Sequence, residues 1–505
     1  MSTAFQIALA DQSAARMASL LQTLNELLRA VDSRVVLLRP LTASFDSQSD
    51  DIDLLLTESQ RQQLICAAKA ACHQGQIHCR IRQTVAAKAE LTLWTIDCSQ
   101  RLMIDLWTSF DQLPHQQRKS ISATRLLNTL SPLTLHSETN PAHEAADPRI
   151  PALRQLPPDI DLCLLLQHVS KKSKSLSVRT VRERITAACG RLAVWSPDPA
   201  TMSVPHDMLA ALRELARELD NAIIITRNNI ALTERYLVLR LAAASGNRGL
   251  RILEPRRSRR LLTDLRKAIM KRLPCLAVIG SDGAGKSSLV KAFAKQQPTV
   301  QPVVAKKFYR RSLSYQIITG LFKRLGGLDR GVFDDRCASI VTLRAIPAAW
   351  IKLLLRLNPF SRNSKPVPPS PSIAERARIP EAMILDRSVS SFLIADRKSD
   401  TPTLTCGATW IESLIPPVTS VLMMMPWDEL TRHKQELSAC GHEQYQRLLF
   451  EQAQRQSPMD IMLLARTESA EAAAKVIAKI FEADPRSVRD PETRSHTKRF
   501  KKAAA

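Results

Sequence analysis

Apolar residues recur at helical spacing over residues 11–31, at Met17, Leu20, Leu21, Leu24, Leu27 and Leu28, and predict an amphipathic helix. A short apolar strand at 34–38 follows, then a polar turn, then the stretch Ser49–Leu56. In that stretch Asp51 and Asp53 flank Ile52 at the head of a strand, and the period of two puts both carboxylates on one face. Residues 90–97 and 101–107 read as a strand hairpin, with Asp105 inside the apolar run Leu102–Trp107. From Ile160 to about Met270 the pattern is helical throughout. One stripe is Leu162, Leu165, Leu166 and Val169, a second is Met208, Leu209, Leu212, Leu215 and Leu219, and a third lies in 231–241. Beyond residue 273 strands and helices alternate: apolar runs at 276–279, 303–309, 382–385, 420–425 and 460–465 read as strands. Segments 289–296, 313–358, 427–436 and 468–481 read as helices.

A chain of 505 residues exceeds one hydrophobic core. The pattern divides it into a sheet-bearing domain at 1–130, a linker at 131–158 rich in Pro, Ser, Thr and His, and a helical region at 159–270. An α/β domain follows at 271–485, with a charged, disordered tail at 486–505. The net charge of +24 favours anionic partners, either nucleotides, nucleic acid or an anionic membrane surface, or simply solubilises the chain. The ten cysteines are scattered with no C-x-x-C pair, and Cys66, Cys72 and Cys79, interleaved with His73 and His78, match no zinc spacing. Reduced thiols and the lack of a signal-peptide pattern at the first residues lead to the expectation of a cytoplasmic protein. The apolar stretch 338–357 is interrupted by Arg344, Pro347 and Lys352, as in a buried or interfacial helix rather than a membrane span.

The most basic stretch is 251–272, where Leu261, Leu262, Leu265 and Ile269 add an apolar stripe. Such a segment suits peripheral contact with the inner face of a membrane, nucleic-acid binding, or a solvated linker helix; no interleaved aromatics favour base stacking.

Gly280-Ser281-Asp282-Gly283-Ala284-Gly285-Lys286-Ser287 fits G-x-x-x-x-G-K-[ST] at every defined position, between the strand 276–279 and the helix 289–296. Glycines let the backbone wrap a polyphosphate with its N–H groups turned inward, and the helix N-terminus adds positive potential. In that pattern Lys286 reaches the β- and γ-phosphates of ATP, Ser287 places its hydroxyl on Mg²⁺, and Ser288 continues the phosphate-binding turn. Strands alternating with helices around this motif predict the doubly wound parallel sheet of a P-loop NTPase, preceded by an α+β domain and the helical region.

With Asp386-Arg387-Ser388 at the end of a later strand, and Ser390 and Ser391 beyond, the last 210 or so residues resemble the thymidylate kinases. The resemblance implies that Asp282 contacts an acceptor's sugar hydroxyl, Asp386 acts on metal or acceptor, and Arg387 binds the phosphates between donor and acceptor. It places Arg432, with His433 and Lys434, at the start of a closing lid, and Arg466-Thr467 against adenine. Ser388 stands where that family carries an aromatic residue or His, and the acceptor region, about 310–375, is longer and more basic than theirs.

Asp51, Asp53 and Asp105 form the residue set of a divalent-metal site, because carboxylates side by side repel unless a cation joins them. This set resembles the nucleotidyltransferase superfamily, built on a D-x-D pair and a third Asp. Its usual Gly-Ser turn is replaced here by Arg39-Pro40-Leu41-Thr42-Ala43-Ser44, so both a divergent transferase and a degenerate nucleotide-sensing domain fit.

Together these readings give an ATP- and Mg²⁺-dependent kinase acting on a nucleotide or related small phosphorylated or sugar-bearing acceptor. The alternatives are a nucleotidyltransferase with a regulatory P-loop domain, and a nucleotide-gated protein docked on membrane or nucleic acid.

Overall fold

The computed structural model describes residues 19–31, 35–38, 51–85, 87–110, 121–122, 150, 153–172, 178–197, 204–222, 224–243, 275–297, 301–304, 320, 383–386, 393–395, 401–404, 415, 418–433, 438–456, 458–465 and 469–482. They form a mixed α/β structure of two units. The first draws on Met1–Ala68, Val85–Leu93 and Gln100–Arg256, the second on Lys69–Thr84, Trp94–Ser99 and Arg257–Ala505.

The elements of the first part of the chain are α1 (19–29), β1 (Val36–Leu37), β2 (Asp51–Leu55), α2 (Glu58–His73), β3 (His78–Val85), β4 (Lys88–Trp94) and β5 (Arg101–Trp107). Next come β6 (Ser109–Phe110), β7 (Ile121–Ser122), β8 (Arg154–Gln155), α3 (Pro158–Lys172), α4 (Val178–Val194), α5 (His206–Ala222) and α6 (Arg227–Ala243). In the first unit the strands run in the order β4-β5-β2-β1-β8. β2 and β5 are parallel, β1 is antiparallel to β2, and β8 is parallel to β1.

The helices α3 to α6 share one core with this sheet: Ile160, Leu166, Ile185, Leu192, Leu212 and Tyr236 cluster with Val36, Leu38 and Leu55. The described helices of the helical region therefore complete the acidic sheet. Arg154 and Gln155, expected in a linker, are a strand of it. The helix stripes are apolar because each faces this core. Polar side chains are sealed among them too: Asp159 Oδ2 accepts from Tyr236 Oη at 2.8 Å and Arg240 Nε at 3.1 Å, and Gln167 Nε2 donates to Thr233 Oγ1 at 2.9 Å.

The second unit contains β9 (Cys275–Ile279), α7 (Lys286–Gln296), β10 (Gln301–Val304), β11 (Met383–Asp386), β12 (Ile394–Ala395), β13 (Thr403–Leu404), β14 (Thr419–Met423), α8 (Trp427–His433), α9 (Ala439–Arg455), β15 (Met459–Leu464) and α10 (Ala470–Glu482). The sheet order is β10-β11-β9-β14-β15-β3. The pairs from β10 to β15 are all parallel, as the alternation of strands and helices implies. Alternate residues of β9 enter different clusters: Leu276 and Val278 pack with Leu289, Phe293, Ile477 and Ile480 of α7 and α10, while Cys275 and Ala277 meet Leu385 and Val418.

Two features depart from the expected plan. β3, from a segment expected to lie wholly in the first domain, pairs antiparallel with β15, from Gln83 opposite Met459 to Cys79 opposite Leu463. Burial explains the choice. Arg80 and Asp460 are both buried on these strands and neutralise each other, and Thr419 Oγ1 donates to the same Asp460 carboxylate at 2.9 Å. His78 is sealed beside them: its Nδ1 accepts from Ala465 N at 2.9 Å and its Nε2 lies 3.1 Å from Ile96 O. The second departure is α9, whose buried face (Tyr445, Leu448, Leu449) packs with Ile394.

No helix among the described residues is long and apolar enough to cross a membrane. The turn Arg39–Ser44, the segments 251–272, 313–319, 321–358 and 486–505, and residues Arg387, Ser388, Ser390, Ser391, Lys434, Arg466 and Thr467 lie outside the described residues.

Candidate functional site

The glycine turn leaves the end of β9, a strand buried at every position. Gly280 is required by close approach, since a Cβ there would stand 3.2 Å from Met423 O of the neighbouring β14. Gly283 and Gly285 take positive φ values of 94° and 76°, which side-chain-bearing residues avoid, and Gly285 caps the start of α7. Lys286 is buried. Its Nζ donates to Ser281 O at 2.6 Å and lies 3.5 Å from Asp282 Oδ1, so the ammonium is folded back onto the loop that precedes it. Ser281 is buried, as is Ala284, while Ser287 and Ser288 are exposed on the first turn of α7.

The glycine motif and the Asp386 strand meet. β11 and β9 are parallel neighbours, with Asp386 opposite Val278, and Ser287 Oγ donates to Asp386 Oδ2 at 2.5 Å. The second carboxylate oxygen of Asp386, Oδ1, is buried and makes no hydrogen bond. A hydroxyl and a carboxylate with a spare buried oxygen, at the carboxyl ends of parallel strands, form an oxygen donor set suited to a hard divalent cation. A pocket lined by Met423, Met424, Met425, Glu429, Leu464, Ala465 and Ala473 opens at the ends of β14 and β15, and Met423 is the residue that closes on Gly280. Arg432 is exposed on α8.

In the first unit, the parallel register of β2 and β5 places Asp53 directly opposite Asp105 and Asp51 opposite Met103. One ligand oxygen from each of Asp51, Asp53 and Asp105 lies within 4.8 Å of the others. Asp53 and Asp105 are buried; Asp53 Oδ1 accepts from Trp107 Nε1 at 2.9 Å. Lys88 forms an ion pair with Asp105 and lies 5.0 Å from the centre of the Trp107 ring. Burial pushes the Asp105 carboxyl up to about 6; Lys88 opposes this, and the charges of Asp51 and Glu90 reinforce it. The triad thus gathers three carboxylates, with Lys88 paired to Asp105.

The sequence reading gave no site role to Lys88, Trp107 or His442. Lys88 and Trp107 flank the acidic strands and became recognisable only through pairing. His442, whose Nδ1 lies 2.9 Å from Ser281 Oγ, is brought to the glycine turn by α9. No protein-family model matches the chain, and no curated protein matches it in sequence.

Proposed function

We propose that the protein is an ATP- and Mg²⁺-dependent kinase of the P-loop type, similar to the thymidylate kinases, acting on a nucleotide or related small phosphorylated acceptor. The observation that carries this reading is the meeting of Ser287 with Asp386 at the carboxyl ends of β9 and β11, beside a lysine folded over a glycine turn. Phosphoryl transfer asks for positioning and charge neutralisation rather than covalent chemistry, and these residues are of the types that supply both. The backbone N–H groups of 285–287, at the start of α7, provide the anion seat. Lys286 supplies a positive charge held by Ser281 O and Asp282. Ser287 and Asp386 would hold Mg²⁺, which when bound neutralises phosphate oxygens. Titration of Mg·ATP into the wild type and Lys286→Ala, followed by ADP release with a panel of acceptors, tests the reading. Lost binding in the variant and release stimulated by one acceptor class are expected, whereas binding retained in Lys286→Ala overturns it.

A second reading attaches to the first unit. Asp51, Asp53 and Asp105 within 4.8 Å of one another favour a nucleotidyltransferase-type metal site there. It requires pyrophosphate release from a nucleoside triphosphate that disappears in Asp53→Ala and persists in Lys286→Ala.

A further inference from the structure

The carbonyl and the hydroxyl of Ser281 are held separately. Its carbonyl accepts from Lys286 Nζ at 2.6 Å and from Ala284 N at 3.2 Å. Its hydroxyl, buried with the rest of the residue, lies 2.9 Å from His442 Nδ1. His442 sits in the first turn of α9, a turn capped where Ser438 Oγ accepts from Gly441 N at 3.1 Å. The ring is buried, and its Nε2 lies 2.8 Å from Met425 O. The same Nε2 lies 2.8 Å from Gln446 Nε2, whose amide also donates to Met425 O at 2.9 Å. A carbonyl draws the ring hydrogen to Nε2 and an amide N–H draws it to Nδ1, and the Ser281 hydroxyl, able to donate or accept, pairs with Nδ1 in either tautomer.

The surroundings keep the ring neutral. Burial lowers its pKa first and the charge of His73 adds to that, against the pull of Met425 O and Glu443.

This places one ring across two chain segments. Gly280 and Ser281 leave the end of β9, Met424 and Met425 leave the end of β14, and the two strands are parallel neighbours. His442 bonds to one residue of each segment. A turn with glycines at 280, 283 and 285 has wide backbone freedom, and the ordering of such a turn opposes ligand binding. Fixing Ser281 fixes the peptide that seats the Lys286 ammonium. Building on the kinase reading above, we propose that His442 is a positioning residue for the phosphate-binding loop, acting through the Ser281 hydroxyl.

The test is a double-mutant cycle on Ser281→Ala and His442→Phe, read as the dissociation constant for Mg·ADP. Each single substitution is expected to weaken binding about tenfold, and the double substitution no more than the worse single, because both remove one contact. His442→Asn, whose amide oxygen can stand in for Nδ1, is expected to recover most of the loss. Independent losses that multiply to about a hundredfold, or a His442→Phe protein that binds as the wild type does, overturn the proposal.

Ring NMR of the ligand-free protein gives a second readout that a purely structural role leaves unmoved. Ser281→Ala should move both the His442 Nδ1 resonance and the ring's pKa, because the partner of Nδ1 is lost. A ring whose Nδ1 resonance and pKa are both unmoved by Ser281→Ala overturns the proposal. The two layers separate through Lys286→Ala. If that variant binds Mg·ADP as the wild type does, the kinase reading falls and the loop's role falls with it. If it does not bind while the Ser281–His442 losses multiply, the present proposal alone falls.

Discussion

Arg80 and Asp460 stand 380 positions apart in the chain and meet in a two-pronged ion pair, Nε to Oδ1 and Nη2 to Oδ2, both at 2.8 Å. Burial by itself would raise the Asp460 carboxyl; Arg80 and Arg82 outweigh it and hold the pKa below the ordinary carboxylate range. A carboxyl lowered in the folded state contributes stability that is present above its unfolded pKa and lost as pH falls through its folded one. Removing one partner leaves the other charged and buried, at a cost of about 3–5 kcal/mol. Asp460→Asn is therefore expected to lower the urea midpoint sharply at pH 7. Its midpoint should fall less steeply than that of the wild type below the ordinary carboxylate range. Equal midpoints at pH 7 would show that the pair contributes nothing.

The Ser287–Asp386 contact makes a separate prediction about magnesium. Asp386→Asn keeps the shape but removes the carboxylate charge. It should raise the Mg²⁺ concentration for half-maximal ADP release, and lower the maximal rate by about 100- to 1,000-fold if the charge acts in the transition state. Binding of metal-free ADP, measured by titration, should change little. A proportionate loss of metal-free binding would mean that Asp386 supports the turn rather than a cation.

Asp105 has a raised pKa, so the sign is reversed there. A carboxyl raised in the folded state stabilises below its unfolded pKa, and that contribution disappears as pH rises through about 6. Asp105→Asn is expected to raise the melting temperature of the metal-free protein at pH 7. In the wild type, Mn²⁺ binding by calorimetry should strengthen as pH rises through about 6 and release a proton, and it should be lost in Asp53→Asn. Binding that ignores pH over that interval would remove Asp105 from the ligand set.

His78 must be neutral to keep its bonds, because Ala465 N donates to its Nδ1. Burial lowers its pKa from the ordinary 6.5, and the bond to Ile96 opposes this only in part. Its contribution to stability is present above about 6.5 and is lost as pH falls through the lower folded value. Melting temperatures between pH 7.5 and 5, in about half-unit steps, should fall with a shallower slope in His78→Gln than in the wild type. Parallel slopes would mean that His78 titrates alike in both states.

The parts legible in the sequence are those fixed by local chemistry. Glycines at 280, 283 and 285 dictate a backbone path by themselves, and the alternation Asp51-Ile52-Asp53 sets two carboxylates on one face. Register was not legible: that Asp105 meets Asp53 rather than Asp51 follows from the parallel pairing of β2 and β5. The place of β3 was hidden for the same reason. Arg80 and Asp460 look like ordinary surface charges until their strands meet, and no local pattern marks a pairing across most of the chain. The helix carrying His442 begins Ala439-Cys440-Gly441-His442-Glu443-Gln444, a polar run with a helix-weakening glycine, so the apolar stripe that orders it appears only at Tyr445 and beyond.

A strand given to the second unit by residues 78–84 sets a timetable for the ribosome. Arg80 leaves the exit tunnel long before Asp460 exists, and at about 5–20 residues per second the 380 intervening positions take roughly 20–80 s to synthesise. Through that interval the edge of β3 that will border β15 stays unpaired, and an unpaired strand edge is what chaperones and neighbouring nascent chains recognise. Folding of the second unit therefore awaits the final stretch of translation, and a message truncated before codon 460 yields a chain in which Arg80 never finds its counter-charge.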